Sequence, residues 1–306
     1  MTTTYLKLAV PPGIGDAVWS LMKVPALLEH TGKDFATVAI CGQPPLRAGE
    51  FVGRFTFVDS WFYSDLSTVE SDFTTPDGVF NHAPTQPNWH GRFDWLLNVN
   101  QHLEYGRRLD DWWPELPTAW NISDMYQFEP DEIELARAIK ETVGPFVVFY
   151  LGPLAGNTTA GHNRDSLWTP EDWGRCAMAA RAAGRTVIVV GAEYDRSYFE
   201  LCEPHLGDVI NAVGTWEISV TFAVIQLADR VLAYQSGIGI FATLLDVPTA
   251  MFWRPHGNSI LPDEYVTFSE DMATAWVPPA TLEAGRYTPL IYGKTPPPLE
   301  FLSSHD

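Results

Sequence analysis

Residues 230–239 read Arg-Val-Leu-Ala-Tyr-Gln-Ser-Gly-Ile-Gly, a short apolar run that passes into a polar turn with two glycines. The run predicts a strand from Arg230 to Tyr234, and the apolar residues beyond the turn predict a helix from Gly237 to Leu245. A second apolar run, Thr249 to Trp253, follows this helix. Strand, helix and strand in this order predict an α/β unit with a parallel sheet, because parallel strands need a crossover connection.

The same alternation extends outwards from this stretch through the second half of the chain. Its predicted elements are strands at 146–151, 186–191 and 209–213, and helices at 131–142, 195–202, 219–228 and from Thr169-Pro170 onwards. A weaker alternation in the first half predicts strands at 5–10, 36–40 and 95–99 and a helix at 16–30. Residues 51–127 are rich in tryptophan and proline and predict few regular elements. The sequence therefore predicts the α/β class, with two Rossmann-like doubly wound parallel-sheet domains at residues 1–140 and 141–306.

Length and charge limit the classes of function. The chain has 306 residues and a mass of 34.2 kDa, enough for two hydrophobic cores. Its 19 basic and 38 acidic residues give a formal net charge of -19, which argues against general binding to nucleic-acid phosphates or anionic membranes. Its three cysteines lie far apart without a CxxC pair, and its histidines show no metal-ligand spacing. Lys7 interrupts the apolar N-terminal residues, so no secretory signal is predicted, and we expect a cytoplasmic protein without a metal site.

The first motif lies between the first predicted strand and helix and reads Pro11-Pro12-Gly13-Ile14-Gly15-Asp16-Ala17-Val18. As a dinucleotide-binding fingerprint it fails, because a third glycine is missing and the Asp16 carboxylate would repel a pyrophosphate. An ionised aspartate at the carboxyl end of a strand can instead accept a proton from a substrate hydroxyl. The alternative is that Asp16 only caps the helix, and the spacing leaves both interpretations open.

Two segments in the second half supply groups that bind phosphate. Thr158, Thr159 and Arg164 lie in a glycine-rich loop after the strand at 146–151. Hydroxyls with one arginine are the materials of a diphosphate clamp. The turn Ser236-Gly237-Ile238 offers a hydroxyl and the N–H groups of a helix start. The alternatives are a solvated loop for the first segment and a packing role for the glycines of the second.

Further stretches stand in a characteristic order along the chain. They are Pro25-Ala26-Leu27, Trp168-Thr169-Pro170-Glu171-Asp172-Trp173, the strand Val187–Gly191, and Ala228-Asp229 ahead of Ser236-Gly237 and Val247-Pro248-Thr249. Together with Gly13-Ile14-Gly15-Asp16, they resemble glycosyltransferase family 9, the heptosyltransferase-like branch of the GT-B fold. The resemblance covers residues 5–30 and 146–255. It implies two Rossmann-like domains that face each other across a cleft, with the acceptor on the first and the nucleotide-sugar donor on the second.

For the reaction, the resemblance implies an inverting transfer of a sugar from a nucleoside-diphosphate sugar to an acceptor hydroxyl, without a metal or another cofactor. Asp16 falls on the family's catalytic base, and the turn Ser236-Gly237-Ile238 falls on the segment that holds the donor diphosphate. Thr158 and Thr159 lie near its hydroxyl clamp. Glu193, just after a predicted strand, is assigned to the ribose hydroxyls, with an exposed loop carboxylate as the alternative.

The tryptophan-rich middle region is the predicted acceptor surface, because flat rings stack on sugar or base faces and nearby polar groups fix the orientation. The acceptor-binding candidates are Gly15, Trp89, His90, His102 and Arg107. Aromatic packing among irregular loops is the alternative for any single tryptophan. The sequence leaves the acceptor open between a glycan, a protein and a modified nucleobase, and it leaves the oligomeric state open as well.

Three positions depart from the family pattern. Gln235 stands where the family usually has Asp, Ile240 where it has His, and Ser166 where it has Lys. The diphosphate pocket thereby loses positive charge, and we expect Arg164 to replace the missing lysine. Two alternatives stay open. A nucleotide-sugar epimerase of similar architecture would also bind a nucleoside diphosphate, and Gln235 and Ile240 make a catalytically inactive binding module credible. A nicotinamide-dependent oxidoreductase fits less well, since the glycine pattern is incomplete.

Overall fold

The computed structural model describes residues 3–41, 49–64, 94–97, 108–111, 114–152, 168–253, 256–257, 265–266, 273–291 and 297–304. The chain divides into two compact units, Met1–Gln127 and Phe128–Asp306. The predicted division between residues 140 and 141 falls inside a helix of the second unit, Pro130–Val143. This helix packs against another helix of the same unit, Ile218–Gln226, and so belongs with it.

The first unit is built on a sheet of parallel strands. Its strands are β1 (Tyr5–Val10), β2 (Phe35–Cys41), β3 (Val58–Ser64) and β4 (Trp95–Leu96), in the spatial order β3-β2-β1-β4. After β1 come the helices α1 (Ile14–Leu21) and α2 (Val24–Thr31), and 3-10 turns lie at Glu50–Arg54, Leu109–Asp111 and Ile122–Asp124. Leu8 of β1 and Val38 of β2 are fully buried, so these two strands form the centre of the core.

The single helix predicted over residues 16–30 is instead broken into α1 and α2 at Met22 and Lys23. Pro25 has no N–H, and its ring would clash with the carbonyl four residues earlier, so one continuous helix cannot form. The Lys23 side chain is fully buried at the break, and its Nζ donates to the Leu116 carbonyl over 2.7 Å. Burial lowers the pKa of Lys23 to about 8, against the opposing effect of two nearby carboxylates.

The second unit carries a larger parallel sheet. Its strands are β5 (Phe146–Tyr150), β6 (Thr186–Val190), β7 (Ile210–Asn211), β8 (Arg230–Tyr234), β9 (Thr249–Trp253) and β12 (Tyr287–Ile291). Between β9 and β12 along the chain, β10 (His256–Gly257) and β11 (Tyr265–Val266) form a separate antiparallel pair. Its helices are α3 (Pro130–Val143), α4 (Pro170–Ala182), α5 (Arg196–Leu206), α6 (Ile218–Gln226), α7 (Gly237–Leu244), α8 (Pro279–Glu283) and α9 (Leu299–Ser303). The parallel strands follow the order β12-β9-β8-β5-β6-β7.

Helices cover both faces of this sheet. Helix α4 packs with α5 and α9, whereas α6 packs with α3 and α7. The chain passes from β5 through α4 to β6 in one direction and from β8 through α7 to β9 in the other, and right-handed crossovers in opposite directions put their helices on opposite faces. Every residue of β5, β8 and β9 is buried, as expected for strands covered on both faces. The predicted doubly wound α/β fold is therefore confirmed.

Arginine side chains fasten the last helix to the amino-terminal edge of the second sheet. Arg185, which precedes β6, is 8% exposed and donates to the carbonyls of Leu302 and Ser304 over 2.8 and 2.6 Å. The guanidinium of Arg230 lies over the Phe301 ring, 5.0 Å from its centroid. Because a buried guanidinium is costly unless its N–H groups are bonded, α9 is a structural part of the second unit.

No helix among the residues described above combines the length and apolar character needed to cross a bilayer. Cys41, Cys176 and Cys202 are free and buried. Burial raises the pKa of the Cys41 and Cys176 thiols to about 12, so both remain protonated near neutral pH. The cysteines thus serve as small apolar residues of the two cores.

Candidate functional site

Both sheets share the same arrangement of their first strands. The first four parallel strands of each unit can be numbered 1 to 4 along the chain. In both sheets they then lie in the spatial order 3-2-1-4, which is β3-β2-β1-β4 in the first unit and β7-β6-β5-β8 in the second. The chain leaves strand 1 in one direction and later returns on its other side, which creates a topological switch point between strands 1 and 4. Ligands of open α/β sheets bind there, outside the carboxyl ends of the strands. The segments that follow β1, β4, β5 and β8 are therefore the candidate binding segments.

Asp16 is the third residue of α1, just after the turn that follows β1. Its half-buried carboxylate leans back over Gly13, where an added Cβ would lie 2.7 Å from Oδ2. Gly13 is the helix N-cap, and the Asp16 carbonyl accepts a hydrogen bond from Ser20 Oγ over 2.7 Å. Gly15, a predicted acceptor contact, is buried at the second helical position. A carboxylate thus lies at the carboxyl edge of β1, where the capping and the proton-accepting interpretations both apply.

Ser236 is the N-cap of α7 and lies two residues after the end of β8. Its hydroxyl accepts a hydrogen bond from the Gly239 N–H over 3.4 Å, a long contact that holds the hydroxyl weakly. Gly237 is half-buried and Ile238 is buried, and their N–H groups lie in the first turn, which has no intrahelical acceptor. No acidic residue lies in this first turn. The helix start therefore presents donors and the positive end of the helix dipole.

Gly239, two residues further on, has a packing role. A Cβ at this position would lie 2.6 Å from Sδ of Met251 and 3.4 Å from Cβ of Ala233. Both neighbours are buried side chains, one on β9 and one on β8, so only glycine lets α7 approach the sheet this closely. Ile240, one of the departures from the family pattern, is also buried. For Gly239 the structure thus favours the packing alternative over close approach to a ligand.

Glu193 lies in the 3-10 turn Glu193–Asp195 that follows β6, at the same carboxyl edge as Ser236. Its carboxylate accepts hydrogen bonds from Nε and Nη2 of Arg196 over 2.7 and 2.6 Å. These bonds lower the pKa of Glu193, whose side chain is 70% exposed. Gly214, with a φ of +68°, lies against the ion pair, where a Cβ would meet the Glu193 carboxylate. Glu193 follows β6 and Ser236 follows β8, and one strand, β5, lies between these two. Because neighbouring strands lie about 5 Å apart, β6 and β8 are about 10 Å apart.

Asp195 is a buried acid at this edge that the sequence analysis does not single out. It is 2% exposed, and its Oδ2 accepts a hydrogen bond from the Ala192 N–H over 2.9 Å. Its carboxylate fills the space that side chains on Gly152 and Gly191 would occupy, beyond the ends of β5 and β6. The signal in the sequence is this pair of glycines after two neighbouring strands. Asp195 thereby shapes the edge from which the predicted donor loop departs.

Buried hydroxyls hold the entrance to α4. The Trp168 N–H donates to the hydroxyl of Tyr234, the last residue of β8, over 3.2 Å. The hydroxyl of Tyr198, on α5, donates to the Trp168 carbonyl over 2.9 Å. Burial raises the pKa of both tyrosines, so both hydroxyls stay neutral. The rings of Trp168, Trp173, Tyr234 and Phe252 pack at inclined angles, with centroid separations between 5.0 and 5.6 Å.

Most of the predicted substrate contacts lie outside the described residues. They are Thr158, Thr159 and Arg164 of the donor loop, residues 153–167, and Trp89, His90, His102 and Arg107 of the acceptor surface. In sequence, the donor loop follows β5, and His102 and Arg107 follow β4. Within the described part of the chain, no three His, Cys, Asp or Glu side chains are grouped so that they could hold a metal ion. The roles of these seven residues stay predictions.

Comparison with solved structures relates the chain to glycosyltransferases. A glycosyl transferase of family 9 from Veillonella parvula matches with a TM-score of 0.56 at 11% identity, over 83% of this chain and 81% of that one. The E. coli ADP-heptose lps heptosyltransferase II matches with a TM-score of 0.58 at 11% identity, over 89% of each chain. The E. coli heptosyltransferase WaaC with ADP matches with a TM-score of 0.53 at 8% identity, over 94% of this chain and 92% of that one.

The sequence matches no protein-family model and no curated protein. At identities of 8 to 11%, the likeness to the solved structures is one of fold, and it extends over more than four-fifths of the chain. The fold implied by the sequence resemblance is thereby confirmed. The chain has the α/β fold of family 9 glycosyltransferases, with two units built on parallel sheets.

Proposed function

We propose that the chain is a glycosyltransferase that moves a sugar from a nucleoside-diphosphate sugar to an acceptor hydroxyl, with inversion at the anomeric carbon and without a metal ion. The start of α7 is the observation that carries the proposal. It lies at the switch point of a sheet with the family 9 fold, its N-cap is Ser236, and its first turn has no acid. Such a helix start stabilises the phosphates of a donor and of the leaving group.

The donor diphosphate binds at this helix start, against the N–H groups of Gly237 and Ile238. Arg164 is its main counter-charge, and Thr158 and Thr159 add hydroxyl donors. The Ser236 hydroxyl turns to the phosphate, since the bond that it accepts from the Gly239 N–H is long, at 3.4 Å. The two E. coli structures, one named for ADP-heptose and one with ADP, support a nucleoside diphosphate as the donor's leaving group.

The donor ribose binds to Glu193. Carboxylate oxygens accept hydrogen bonds from adjacent hydroxyls, and the Glu193 side chain is exposed beyond β6. Arg196 holds it in one direction through two hydrogen bonds. The strands that lead to Glu193 and Ser236 lie about 10 Å apart, a separation that suits the ribose and the phosphates of one extended nucleotide.

Asp16 is the general base of the proposed reaction. Its carboxylate takes the proton of the acceptor hydroxyl while that oxygen forms a bond to the anomeric carbon. The bond from the anomeric carbon to the diphosphate oxygen breaks on the opposite face, so the configuration inverts and the leaving group keeps the electron pair. Arg164 and the α7 dipole meet the charge that develops there. The lean of the Asp16 carboxylate over Gly13, towards the strand–helix turn, supports this role.

The acceptor binds on the first unit, against Gly15 and the side chains of Trp89, His90, His102 and Arg107. Rings and polar groups together suit a sugar or base carrying a free hydroxyl, so the acceptor is a glycan, a protein or a modified nucleobase. We place the activity in the cytoplasm, because free buried thiols such as Cys41 persist in a reducing compartment.

Ligand binding tests the donor class. ADP, GDP, UDP and CDP are each mixed with the protein in EDTA and in Mg²⁺, and unfolding temperature and heat of binding are measured. We expect one of them to stabilise the fold in EDTA, by about 2.7 kcal/mol when its concentration is a hundred times Kd. The matching nucleoside-diphosphate sugar is then tested as donor. Failure of all four to bind contradicts the proposal, and binding only with Mg²⁺ contradicts its metal independence.

Product analysis separates the alternatives that the sequence leaves open. A glycosyltransferase yields a glycoside of inverted configuration, which NMR detects, whereas an epimerase releases free sugar or an isomerised donor without any acceptor. An inactive binding module binds the donor and releases no nucleoside diphosphate. Gln235 and Ile240 replace the acid and the histidine of the family pattern. This observation favours the inactive binding module as the second candidate function.

A further inference from the structure

The carboxylate that we assign to the donor ribose is held by an arginine that is itself anchored. Nε and Nη2 of Arg196 donate to the two oxygens of Glu193 over 2.7 and 2.6 Å. Nη2 also donates to the Val213 carbonyl over 3.2 Å. Glu193 lies just after β6 and Val213 just after β7, and these two strands are paired. The ion pair therefore bridges the carboxyl ends of two neighbouring strands.

The main chain on both sides of this ion pair is also held. Asp195 is 2% exposed, and its Oδ2 accepts a hydrogen bond from the Ala192 N–H over 2.9 Å, which closes the 3-10 turn that carries Glu193. On the facing segment, the Gly214 N–H donates to the Gly191 carbonyl over 2.8 Å. An exposed side chain normally samples several rotamers. Here hydrogen bonds restrain both the main chain and the carboxylate of Glu193.

Gly214 provides the space in which the carboxylate lies. Its φ is +68°, and an added Cβ would lie 2.1 Å from Oε2 of Glu193 and 2.9 Å from Nη2 of Arg196. The conformation and the contact both require a residue without a side chain. Gly214 thus lets the ion pair lie directly against the segment that follows β7.

The held carboxylate matches a pair of adjacent hydroxyls. A carboxylate has about four acceptor positions, and Arg196 uses one on each oxygen of Glu193. The Glu193 side chain is still 70% exposed. Ribose carries hydroxyls on two adjacent carbons, whereas 2′-deoxyribose has lost one of them. A carboxylate that is already oriented loses little conformational entropy when it binds such a pair.

We propose that Arg196 is a positioning residue that makes the donor site select ribonucleotides over 2′-deoxyribonucleotides, because it holds Glu193 in one orientation against Gly214. This inference rests on the proposed function. An exposed ion pair adds little to stability, so the main effect of Arg196 is on the direction of the carboxylate. A hydrogen bond to a charged group discriminates about tenfold to hundredfold against a ligand that lacks the hydroxyl.

The first experiment measures this discrimination by calorimetry. Kd is determined for whichever of ADP, GDP, UDP and CDP binds the wild type, and for its 2′-deoxy analogue. We expect the wild type to bind the ribonucleotide about tenfold to hundredfold more tightly. Glu193→Ala and Arg196→Met are expected to bring this ratio of Kd values close to one. Arg196→Lys is expected to lower it as well, since lysine keeps the charge but lacks the planar fork.

Another exposed ion pair of the same unit supplies the control for Arg196. Arg286 pairs with Asp246, and the two residues precede β12 and β9 at the opposite, amino-terminal edge of the sheet. Arg286→Met therefore removes an exposed arginine–carboxylate pair away from Glu193. We expect it to keep the wild-type ratio between ribonucleotide and deoxyribonucleotide.

A second pair of variants tests the contact between Gly214 and the carboxylate. Gly184 has a φ of +78°, and an added Cβ there would have no atom within 4 Å. Gly214→Ala and Gly184→Ala both place alanine in a left-handed conformation, so both are expected to lower the unfolding temperature. Only Gly214→Ala is expected to lower the ratio of Kd values, because only its methyl group meets Glu193.

Several outcomes overturn the inference. They are a wild-type ratio close to one, an unchanged ratio in Glu193→Ala or Arg196→Met, and a full wild-type ratio in Arg196→Lys, which would show that charge alone suffices. An equal loss in Arg286→Met or Gly184→Ala also overturns it, since general loosening of the unit then explains the effect. If Gly214→Ala does not fold, the Arg196 variants decide.

The same measurements separate this inference from the proposed function. A wild-type protein that binds a nucleoside diphosphate but does not distinguish ribose from 2′-deoxyribose refutes the inference and leaves the proposed donor class standing. A wild-type protein that binds none of the four diphosphates refutes the proposed function, and the inference with it.

Discussion

The tripeptide Gly-Ile-Gly begins two helices of the chain in two different registers. At residues 13–15 it follows β1, and its first glycine is the N-cap of α1. At residues 237–239 it follows β8, and its first glycine is already inside α7, whose N-cap is Ser236. The third helical position is consequently Asp16 in one helix and Gly239 in the other. Both helices follow strands that border a switch point. A shift of one residue in the start of the helix therefore changes which side chain lies in its first turn, while the order of strand, turn and helix stays the same.

This difference separates two chemical tasks. A carboxylate in the first helical turn is stabilised by the helix dipole and repels an anion, so the start of α1 suits a base. The start of α7 has no acid in its first turn and suits a phosphate group. An aspartate at position 239 would displace Met251, because a Cβ there would lie 2.6 Å from Sδ of Met251. Packing against the sheet thus keeps negative charge away from the proposed diphosphate site.

Asp16→Asn removes the carboxylate and keeps the size of the side chain. We expect turnover to fall about 10²- to 10⁴-fold, the usual contribution of a general base, with an unchanged Kd for the nucleoside diphosphate. Steady-state kinetics and calorimetry measure the two quantities. Asp59→Asn changes an exposed acid of the same unit and is the control with normal turnover. Near-normal turnover in Asp16→Asn would leave only the capping role for this residue.

Gly13→Ala tests whether the direction of the Asp16 carboxylate matters. A φ of -73° admits alanine, but the new Cβ would lie 2.7 Å from Oδ2 and turn the carboxylate away. We expect turnover to fall roughly tenfold to hundredfold, as for a small misplacement of a catalytic group. The free energy of unfolding is expected to fall by about 1 kcal/mol or less. In the Asp16→Asn background the substitution should not lower turnover further, and an additional loss there would contradict this explanation.

Gly239→Ala tests the other side of the comparison. The added methyl group overlaps Sδ of Met251 in the core, so we expect the free energy of unfolding to fall by about 1–3 kcal/mol. Urea unfolding measures this loss. In a Met251→Ala background the space is already open, and the same substitution should cost less. A full cost in that background would show that the methyl group meets some other obstacle.

The residues just beyond the same two helices also differ. Lys23 is buried two residues after the end of α1, whereas Leu245 and Asp246 follow the end of α7. The pKa of Lys23, about 8 in the folded state, lies below its ordinary value of 10.5, because burial outweighs the carboxylates of Asp110 and Asp111. Between these two values the unfolded chain binds a proton that the folded chain has released, so stability rises with pH.

The lowered pKa of Lys23 predicts that the free energy of unfolding of wild type rises by about 1 kcal/mol more than that of Lys23→Met between pH 8 and pH 9. Urea unfolding at both pH values measures it, and Lys7→Met, which changes an exposed lysine on β1, is the control that should follow wild type. Equal pH dependence in wild type and Lys23→Met would contradict the lowered pKa.

Local signals predict the elements whose limits are set by their own residues. Apolar runs bounded by turns predict β1, β5 and β8, and the structure confirms them to within one residue. Thr169 is predicted to open α4, and its hydroxyl accepts a hydrogen bond from the Asp172 N–H over 3.3 Å. The positions of Asp16 and Ser236 just after parallel strands follow from the same short patterns.

Contacts between distant segments account for what the sequence does not predict. Strand β12 contains Pro289, which argues against a strand, but an edge position tolerates it. Strand β3 exposes Phe62 and lacks a clean alternation of apolar residues. The hydroxyls that hold Trp168 come from β8 and α5, and the neighbour of Gly239, Met251, comes from β9. None of these partners is visible in the local pattern, so the packing that holds the site escapes sequence analysis.

The last residues of the second unit determine when that unit can finish folding. Arg185 is buried before β6, where it pairs with Asp229 over 3.5 Å and donates to the carbonyls of Leu302 and Ser304. During translation the first unit leaves the ribosome early, and domains generally fold in the order in which they emerge. The second unit, by contrast, leaves the Arg185 guanidinium without two of its acceptors until residues 302–304 have cleared the exit tunnel. Of the two units, the one that carries Asp16 is thus synthesised first, and the one that carries the proposed diphosphate site is completed later.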